Sequence, residues 1–420
     1  MPTPANPHRP GERRALAIVL GVLIVDMIGF GIVIPVMPDL ITGLTHTTLG
    51  EAARLSGWLM GVFAAMQFLF GPVMGGLGDR FGRRPVILTC MLAFSLDYLV
   101  MGLSPTYGWL FVSRAIAGIT GATFVPATAY IADITPPERR AQNFGLIGAA
   151  FGLGFTIGPA IGGLLGGLGT RAPFFVAAGL ALVNAIAGFF LLPESLPADR
   201  RRPFHIARAN PLGTFAALAR HRAVRPLFAA WFLWMLAHTA YASTWAFFTK
   251  LKFGWSDHAV GASLAYAGFT MALAQGFVTR RLIPRIGERR AIALGLTIGF
   301  VGFVGNALVP LGWMLYVVSS ATALQGLVFP SMNSTLSRLV AGNEQGELQG
   351  GVASMQSASA ILGPLVMTGV FAHFTRPGSV PRIAGAAFLL SALLTLGALG
   401  IVVILARGAF ARPAAATDPR

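Results

Sequence analysis

The stretch Gly75-Gly76-Leu77-Gly78-Asp79-Arg80-Phe81-Gly82-Arg83-Arg84-Pro85 forms a short charged turn between two long apolar runs, residues 58–77 and 86–103. Its small residues permit two helices to approach closely. Its charged residues can pair with groups at neighbouring helix ends. We therefore predict a conformational latch that holds one arrangement of the helices and releases in another; its members are Gly75, Asp79, Arg80, Gly82, Arg83, Arg84 and Asp133. An ordinary tight basic turn is the alternative.

Apolar runs of similar length recur on both sides of this turn. A helix needs about 20 apolar residues to cross a hydrocarbon core of about 30 Å. Twelve runs meet this requirement with at most one charge, and we number them spans 1 to 12: 15–37, 58–77, 86–103, 109–132, 144–168, 172–192, 226–249, 260–279, 291–311, 312–336, 348–371 and 383–406. The composition agrees, because 55% of the 420 residues are hydrophobic, 11% are charged and the mean hydropathy is +0.70. A soluble globular protein of this size is excluded.

The charges indicate how the spans are oriented. The chain has 31 basic and 15 acidic residues, a formal net charge of +16. If both termini are cytoplasmic, 24 basic residues lie in cytoplasmic segments and six lie on the other side. The positive-inside rule then predicts this orientation. We expect a multi-pass protein of a bacterial inner membrane whose first run stays as a span, and we do not expect nucleic-acid binding.

Several kinds of chemistry are excluded by what the sequence lacks. Its one cysteine, Cys90, lies in an apolar segment, so neither a disulfide framework nor a cysteine zinc site is expected. There is no His/Glu metal spacing, no Gly-x-Ser-x-Gly and no P-loop. We therefore predict that the protein is not an enzyme, uses no cofactor or metal and does not itself use ATP.

The longest polar stretch, residues 193–225, divides the spans into six and six. We predict an N-tail (1–14), a six-helix bundle (15–192), a cytoplasmic linker (193–225), a second six-helix bundle (226–406) and a C-tail (407–420). Features recur at an offset of 205 residues: Arg80-Phe81-Gly82 matches Arg285-Ile286-Gly287, and Gly158-Pro159 matches Gly363-Pro364. An internal duplication explains both, although coincidence of common residues is an alternative. Parallel six-helix halves occur in secondary transporters, with the substrate site near the midplane.

Span 4 contains an arginine, Arg114, about 8 Å inside its outer end. A buried arginine costs several kcal/mol unless it is partnered, so it requires a carboxylate or carbonyl groups in the bundle interior. Snorkelling towards the outer surface is the alternative.

Span 5 has small residues at regular spacing and one internal proline. The pattern comprises Gly145, Gly154, Gly158, Pro159, Gly162 and Gly163. Glycines on one face let another helix pack backbone to backbone, and a proline bends the helix where the two halves could rock. Helix packing alone is the alternative.

These three motifs, in this order on twelve spans, resemble the drug:proton antiporters of the major facilitator superfamily, in which the span 5 pattern is the antiporter signature. Four further stretches look like the tetracycline efflux branch: 26–31 (DMIGFG) with Pro35 and Pro38, 130–135 (YIADIT), 192–195 (LPES) and 345–350 (QGELQG). The likeness runs from about residue 15 to 400. The resemblance implies the all-α major facilitator fold, with twelve transmembrane helices in two pseudo-symmetric halves.

The likeness to the tetracycline pumps has two gaps. Those pumps carry a histidine and an aspartate at the places that Met271 and Gly299 take here. In that branch the drug travels as a complex with a divalent cation, so a missing carboxylate puts tetracycline in doubt as the substrate.

Three charged residues lie deep within spans, and all are in the first half: Asp26, Asp97 and Arg114. Asp26 lies twelve residues past Arg14, about 18 Å along the helix and near mid-membrane. Burial there favours the neutral acid, so we predict Asp26 as the proton carrier. A structural hydrogen bond or a permanent pair with Arg114 is the alternative. Asp97 is predicted as a secondary relay or a packing residue. Arg114 is predicted as the third proton-coupling residue, because its charge favours the ionised form of whichever acid it approaches, so that arrival of the substrate changes the affinity for the proton.

The second half has no equivalent charges, so we expect it to supply shape, aromatic contacts and hydrogen bonds. The predicted substrate-binding residues are Gln67 in span 2 together with Trp231, Trp234, His238, Tyr241, Gln275, Asn306, Gln325, Asn333 and Gln356. Trp234 and His238 share a helix face at i, i+4 spacing. Trp245 is expected to be an interface anchor.

The leading hypothesis is secondary active export of a small organic compound, a drug of the tetracycline type among the candidates, in exchange for protons. The partners would be the substrate, protons and the lipid bilayer, with the proton gradient as the energy source and the chain acting as a monomer. A proton symporter or a facilitator for a small metabolite is the alternative, followed by a non-transporting receptor.

Overall fold

The computed structural model describes residues 10–121, 124–136, 139–202, 224–340 and 345–405, and regular structure in these ranges is entirely helical. Apolar runs favour helices because a helix satisfies its own backbone polar groups in lipid. The α-helices are α1 (Pro10–Val33), α2 (Met37–Thr45), α3 (Leu49–Phe81), α4 (Arg83–Leu103), α5 (Tyr107–Thr120), α6 (Phe124–Ile134), α7 (Arg140–Gly166), α8 (Ala172–Leu191), α9 (Arg225–Phe253), α10 (Asp257–Leu273), α11 (Arg280–Ile286), α12 (Glu288–Leu308), α13 (Met314–Thr322), α14 (Val328–Leu339), α15 (Gln345–Thr375) and α16 (Ala386–Gly400).

Ten helical segments of the described residues are long and apolar enough to cross a membrane. The predicted spans 7 and 8 form helices α9 and α10 but are not among the ten. The aromatic and hydroxyl side chains of α9 lower its hydropathy, and α10 has only 17 residues before its hydrogen-bond pattern changes. Large apolar side chains such as Leu96 and Phe190 are 61% and 77% exposed, as expected for surfaces that face lipid.

Some predicted boundaries are wrong. Span 1 ends at Val33 rather than at residue 37, because a turn containing Pro35 separates α1 from α2. Span 8 contains a π-helical turn, Ala274–Thr279, and span 10 contains a 3-10 turn, Ala323–Leu327. These two irregular turns pack on each other. Uniform α-helices were expected at both places.

The chain forms two compact units. Among the residues that the structure describes, unit 1 takes in those within 1–36 and 65–210, and unit 2 takes in those within 37–64 and 211–420. In unit 1, α1 packs on α7 and α8, and α4 packs on α8. Its core includes Val19, Leu23, Ile87 and Tyr130.

Unit 2 has the same pattern of neighbours. Helix α9 packs on α15 and α16, and α12 packs on α16. Helix α12 (288–308) is α4 (83–103) moved by 205 residues, and the glycines that precede them, Gly82 and Gly287, both have positive φ, 104° and 76°. The offset found in the sequence therefore recurs in the helix bounds and in the internal packing of each unit.

Parts of the predicted tails and linker lie outside the described residues, and one predicted bundle segment groups with the other unit. Residues 203–223 of the predicted linker lie outside the described residues, as do residues 1–9 and 406–420 of the predicted tails. Residues 37–64 group with unit 2 although the prediction assigns them to the first bundle.

Candidate functional site

Asp26 is buried in the middle of α1 with a neutral amide as its neighbour. Asp26 is 8% exposed. Asn184 on α8 places its Nδ2 3.5 Å from Asp26 Oδ1 and 3.2 Å from the carbonyl oxygen of Val22. Within the described residues Asp26 forms no ion pair. The alternative of a permanent pair with Arg114 is therefore not what the structure contains.

Arg114 pairs with Asp97 instead. The guanidinium of Arg114 on α5 forms an ion pair with the carboxylate of Asp97 on α4, and both side chains are buried. Ser113 donates a hydrogen bond to the same carboxylate. Arg114 thus has the interior carboxylate that its depth in the span requires and does not snorkel outward.

Tyr98 lies between this ion pair and α1. Its ring centroid is 5.9 Å from the guanidinium carbon of Arg114. The ring also packs on α1, since a Cβ added at Gly29 would lie 3.2 Å from Tyr98 Oη. Gly29 is one helical turn from Asp26, so Tyr98 provides packed contact between the Asp97–Arg114 pair and the helix that carries Asp26.

The small residues of α7 also face this part of α1. A Cβ added at Gly154 would lie 3.0 Å from the backbone nitrogen of Ile28, and one added at Gly158 would lie 2.6 Å from its carbonyl oxygen. Gly31 on α1 similarly faces Pro159 Cδ at 2.7 Å. The backbones of α1 and α7 are therefore in contact directly after Asp26.

The remaining members of the span 5 pattern behave differently from one another. Gly162 packs against the carbonyl of Ile32, and Gly163 is buried. An added Cβ at Gly145 would meet nothing within 4 Å. The close contact with α1 therefore involves Gly154, Gly158 and Gly162, and Gly145 takes no part in it.

The charged turn between α3 and α4 has Arg83 at its centre. Arg83 Nη2 is 2.5 Å from Asp79 Oδ1, and its Nε is 3.3 Å from Asp133 Oδ2 on α6. Its Nη1 also donates to the carbonyl oxygen of Gly75 at 3.4 Å. Arg80 lies apart from this set, with its guanidinium 5.0 Å from the ring centroid of Phe81.

Glu194 completes this turn from the far end of α8. Its carboxylate accepts from the backbone N–H groups of Arg83 at 2.9 Å and Arg84 at 3.3 Å, the first residues of α4. An acid at a helix N-terminus satisfies free N–H groups and the helix dipole. Gly82, with φ +104°, leaves the space that the carboxylate fills, and the Arg84 side chain donates to the carbonyl oxygen of Phe189 at 2.6 Å.

In unit 2, the centre of α9 carries a cluster of rings. The ring centroids of Trp234 and His238 are 4.2 Å apart, and Tyr241 stacks on Phe303 of α12 at 5.2 Å. The His238 ring also contacts Phe303, at 5.6 Å. His238 Nδ1 lies 3.2 Å from the carbonyl oxygen of Trp234.

Polar groups surround the hydroxyl of Tyr241. Asn306 Nδ2 donates to it at 3.0 Å, and Gln325 and Thr322 also interact with it. Among the described residues, Asn306 Oδ1, Gln325 Oε1 and Trp234 Nε1 are buried without a hydrogen-bond partner. Such groups cost about 1–3 kcal/mol each, so a polar ligand or water is the expected partner.

Gly299 lies beside Gln325, one of the polar residues around Tyr241. A Cβ added there would lie 3.3 Å from Gln325 Oε1 and 3.6 Å from Thr395 Cγ2. An acidic side chain at this position would therefore enter the neighbourhood of Gln325. Met271, the other position at which this chain differs from the tetracycline pumps, is 42% exposed.

Five of the predicted substrate-binding residues thus come together in one cluster: Trp234, His238, Tyr241, Asn306 and Gln325. The other predicted residues lie elsewhere. Gln67 donates to the carbonyl oxygen of Gly121 in unit 1, and Trp231 is buried against Phe329. Asn333 accepts from Gln349 at 3.2 Å.

Two glutamines and one tryptophan also differ from the expectation. Gln275, in the π-helical turn, is exposed and lies beside Gly326, and Gln356 is exposed. The interpretation of Trp245 as an interface anchor is wrong, because it is 2% exposed and its Nε1 donates to Ser263 Oγ at 3.0 Å.

Sequence reasoning missed the neutral partners of the buried charges. A search for charged residues does not find Asn184, Ser113 and Tyr98, because all three are neutral. A polar residue within an apolar span is the signal that could have found them. Glu194 lies in the stretch 192–195, whose resemblance to the efflux branch predicts no role for it. No group of three or more His, Cys, Asp or Glu side chains that could hold a metal occurs in the part of the chain that the structure describes.

Comparison with known proteins places these features in one family. The sequence pattern of the Major Facilitator Superfamily matches residues 19–364. The chain belongs to the Major Facilitator Superfamily. Its members are transporters, so this superfamily member is a multi-pass membrane transporter and not an enzyme.

Relatives of this superfamily member include drug-resistance proteins. The class C tetracycline resistance protein of Escherichia coli is 39% identical over 401 residues, covering 96% of this chain and 98% of that protein. Multidrug resistance protein 2 of Bacillus subtilis is 31% identical and covers 84% of this chain and 88% of that protein.

A solved structure supports the fold. The crystal structure of the human organic anion transporter MFSD10 (TETRAN) superimposes with a TM-score of 0.68 at 26% identity, covering 94% of this chain and all of that one. A bacterial homologue of the lysosomal transporter Spinster reaches 0.72 at 17% identity and covers 96% of this chain and 97% of that one.

Proposed function

We propose that this protein exports a small organic compound, a drug in the broad sense, in exchange for protons. The names of its relatives support a drug as the cargo, because several are tetracycline resistance proteins at 31–39% identity. The observation that carries the proton part is the difference between the two buried acids of unit 1. Asp97 has an arginine beside it, whereas Asp26 has an amide.

This difference supports separate roles for the two acids. A carboxylate held by a guanidinium stays ionised, because the opposite charge favours the charged form. A buried carboxyl whose neighbour is a neutral amide gains no such support, so it can take up and release a proton as its surroundings change. Asp26 is the proton carrier, and Arg114 with Asp97 forms a fixed pair beside it.

Tyr98 and the glycine contact link this carrier to the rest of unit 1. Movement of α1 along α7 changes the surroundings of Asp26, since Gly154 and Gly158 pack directly on the residues after it. The contact of Tyr98 with Gly29 passes the same movement to the Arg114 pair. The latch around Arg83 holds α3, α4, α6 and the end of α8 together while this occurs.

The cargo is bound by neutral groups in unit 2. The cluster of Tyr241, Asn306 and Gln325 offers free hydrogen-bond acceptors, and Trp234 and His238 offer ring faces. Their free atoms support contact with a polar aromatic compound. Arginine-rich loops on the cytoplasmic side, both termini inside and a monomeric transporter in the bilayer complete the proposal.

The test is drug-driven proton movement in proteoliposomes. Tetracycline, the cation ethidium and the anion fluorescein are supplied separately to vesicles that contain a trapped pH dye. The parent protein moves protons with at least one of them. Asp26→Asn abolishes that proton movement, while exchange of labelled for unlabelled drug continues, because exchange needs no net proton transfer.

The matched control is Asp199→Asn, an exposed acid in the short helix Ala198–Arg200. It keeps proton movement at the parental level. Full proton coupling in Asp26→Asn would reject the carrier, and drug uptake with no proton movement in the parent would reject the exchange itself in favour of a facilitator.

A further inference from the structure

Residues 37–64 belong to one repeat by sequence and to the other unit by packing. The offset of 205 residues pairs this segment with residues 242–269, so it is part of the first repeat. In the structure it groups with unit 2, whereas residues 1–36 and 65–210 form unit 1. Transport by moving one repeat against the other has to break the contacts of this segment with the second repeat.

Small residues of α3 make several of these contacts. A Cβ added at Gly61 would lie 3.2 Å from Leu365, and one added at Gly57 would lie 2.9 Å from the carbonyl oxygen of Pro364. Gly50 packs on Thr375 in the same way. These glycines of α3 form a face that packs closely on α15 without interlocking side chains, so the two helices can separate at little cost.

One ionic contact stands out at the end of this glycine face. Lys250 Nζ, near the end of α9, donates to Asp39 Oδ2 on α2 at 2.8 Å and to Asp257 Oδ1 on α10 at 2.6 Å. The Lys250 side chain is 8% exposed, compared with 12% for Asp257 and 43% for Asp39. In the described ranges it forms the only ion pair that joins residues 37–64 to another helix.

Two carboxylates on one ammonium make this contact reversible. Removing the only partner of a buried charge costs about 3–5 kcal/mol. Lys250 avoids that cost when Asp39 leaves, because Asp257 stays beside it within the second repeat. The crossing contact, to Asp39, is also the more exposed of the two and therefore the weaker one.

We propose that Asp39, Lys250 and Asp257 form a gate on the side of the membrane opposite the Arg83 turn. Lys250 holds Asp39 while the gate is closed and keeps only Asp257 when it opens. The gate rests on the alternating movement that the proposed function requires, but not on the proton or on the identity of the drug.

Cross-linking tests the gate. The sole natural cysteine, Cys90, is buried, so the introduced thiols are the ones that the reagent reaches. In Asp39→Cys/Lys250→Cys, a short bifunctional methanethiosulfonate joins the two repeats across the gate. Transport of whichever probe the parent carries is lost on linking and returns on reduction. In Asp257→Cys/Lys250→Cys the same reagent joins α9 to α10 within one repeat, and transport is the same before and after linking.

Undiminished transport in the linked Asp39→Cys/Lys250→Cys protein overturns the gate. The result is separate from the proton test, because a protein without proton exchange still shows whether linking stops drug movement. Asp39→Cys alone provides a second readout where the double variants fail to fold, since it keeps the Lys250–Asp257 pair. Adding the transported probe changes the rate at which a membrane-impermeant maleimide labels the introduced thiol, and an unchanged rate also overturns the gate.

Discussion

Asp26 and Asp97 are both buried in unit 1, but the side chains that face them differ. Asp97 faces the guanidinium of Arg114, whereas Asp26 faces the side-chain amide of Asn184. The depth of all three charges could be read from the spacing along their helices. Which acid the arginine faces could not, because it depends on how α4 packs on α5.

The Arg114–Asp97 pair predicts a stability effect that can be separated from function. Arg114→Met leaves a buried carboxylate without its cation and lowers the free energy of unfolding by about 3–5 kcal/mol. Asp97→Asn/Arg114→Met, which removes both charges, regains part of this loss. Thermal unfolding of the purified proteins in detergent measures both, and a double variant no more stable than Arg114→Met would contradict a coupled pair.

The contact between α1 and α7 belongs to the scale of whole helices. Its glycine spacing was readable from the sequence, but the partner helix was not, and neither was the absence of Gly145 from the contact. A stripe on one helix shows where small residues lie, while the partner depends on the tertiary fold.

Gly158 and Gly145 therefore make a matched pair of variants. Gly158→Ala places a methyl group against the Ile28 carbonyl, so it lowers both the unfolding temperature and transport. Gly145→Ala meets open space and leaves transport intact, with a gain of up to about 1 kcal/mol from helix propensity. Equal losses in the two variants would mean that the backbone contact is not what matters.

The start of α10 predicts a dependence of stability on pH. Burial raises the pKa of Asp257, although Lys250 opposes the shift; Asp39 is the other charge that acts on it. Lys252 lies apart, donating to the Ala307 carbonyl at 2.8 Å. The raised pKa means that the Asp257 carboxyl binds its proton more tightly in the folded protein than in the unfolded chain. Asp257 therefore contributes most to stability at acid pH, and this contribution is lost as the pH rises through the raised pKa.

Comparison of the parent with Asp257→Asn isolates this contribution. The difference between their unfolding temperatures changes with pH above about 4, the ordinary pKa of an aspartate, in favour of the parent at the acid end. A difference that is constant from pH 4 to 8 would contradict the burial of this carboxyl.

At the scale of the whole molecule, the two repeats carry similar ion pairs of opposite polarity. Arg83 and Asp133 of the first repeat correspond, at an offset of 205, to Glu288 and Arg338, which also form an ion pair. Glu288 accepts further hydrogen bonds from Ser334 at 2.6 Å and Thr335 at 3.1 Å. The repeat was predictable from the sequence, but the inverted pair was not, because matching identical residues overlooks an exchange of charge.

The inverted pair predicts an effect on transport that exceeds its effect on stability. Arg338 is 58% exposed, so the pair contributes about 0–1 kcal/mol to stability. Arg338→Glu lowers the transport rate, and Glu288→Arg/Arg338→Glu restores it, while the unfolding temperatures stay close. A double variant as slow as Arg338→Glu would mean that this pair does not act as a unit.

The most direct test of the account is proton release on drug binding by the purified protein in weakly buffered detergent. A compound that the parent carries displaces protons from it when it binds, and the pH dye records a stoichiometric acidification. Asp26→Asn binds the same compound and releases none. Proton release of parental size from Asp26→Asn would contradict the claim that this carboxyl exchanges its proton for the cargo.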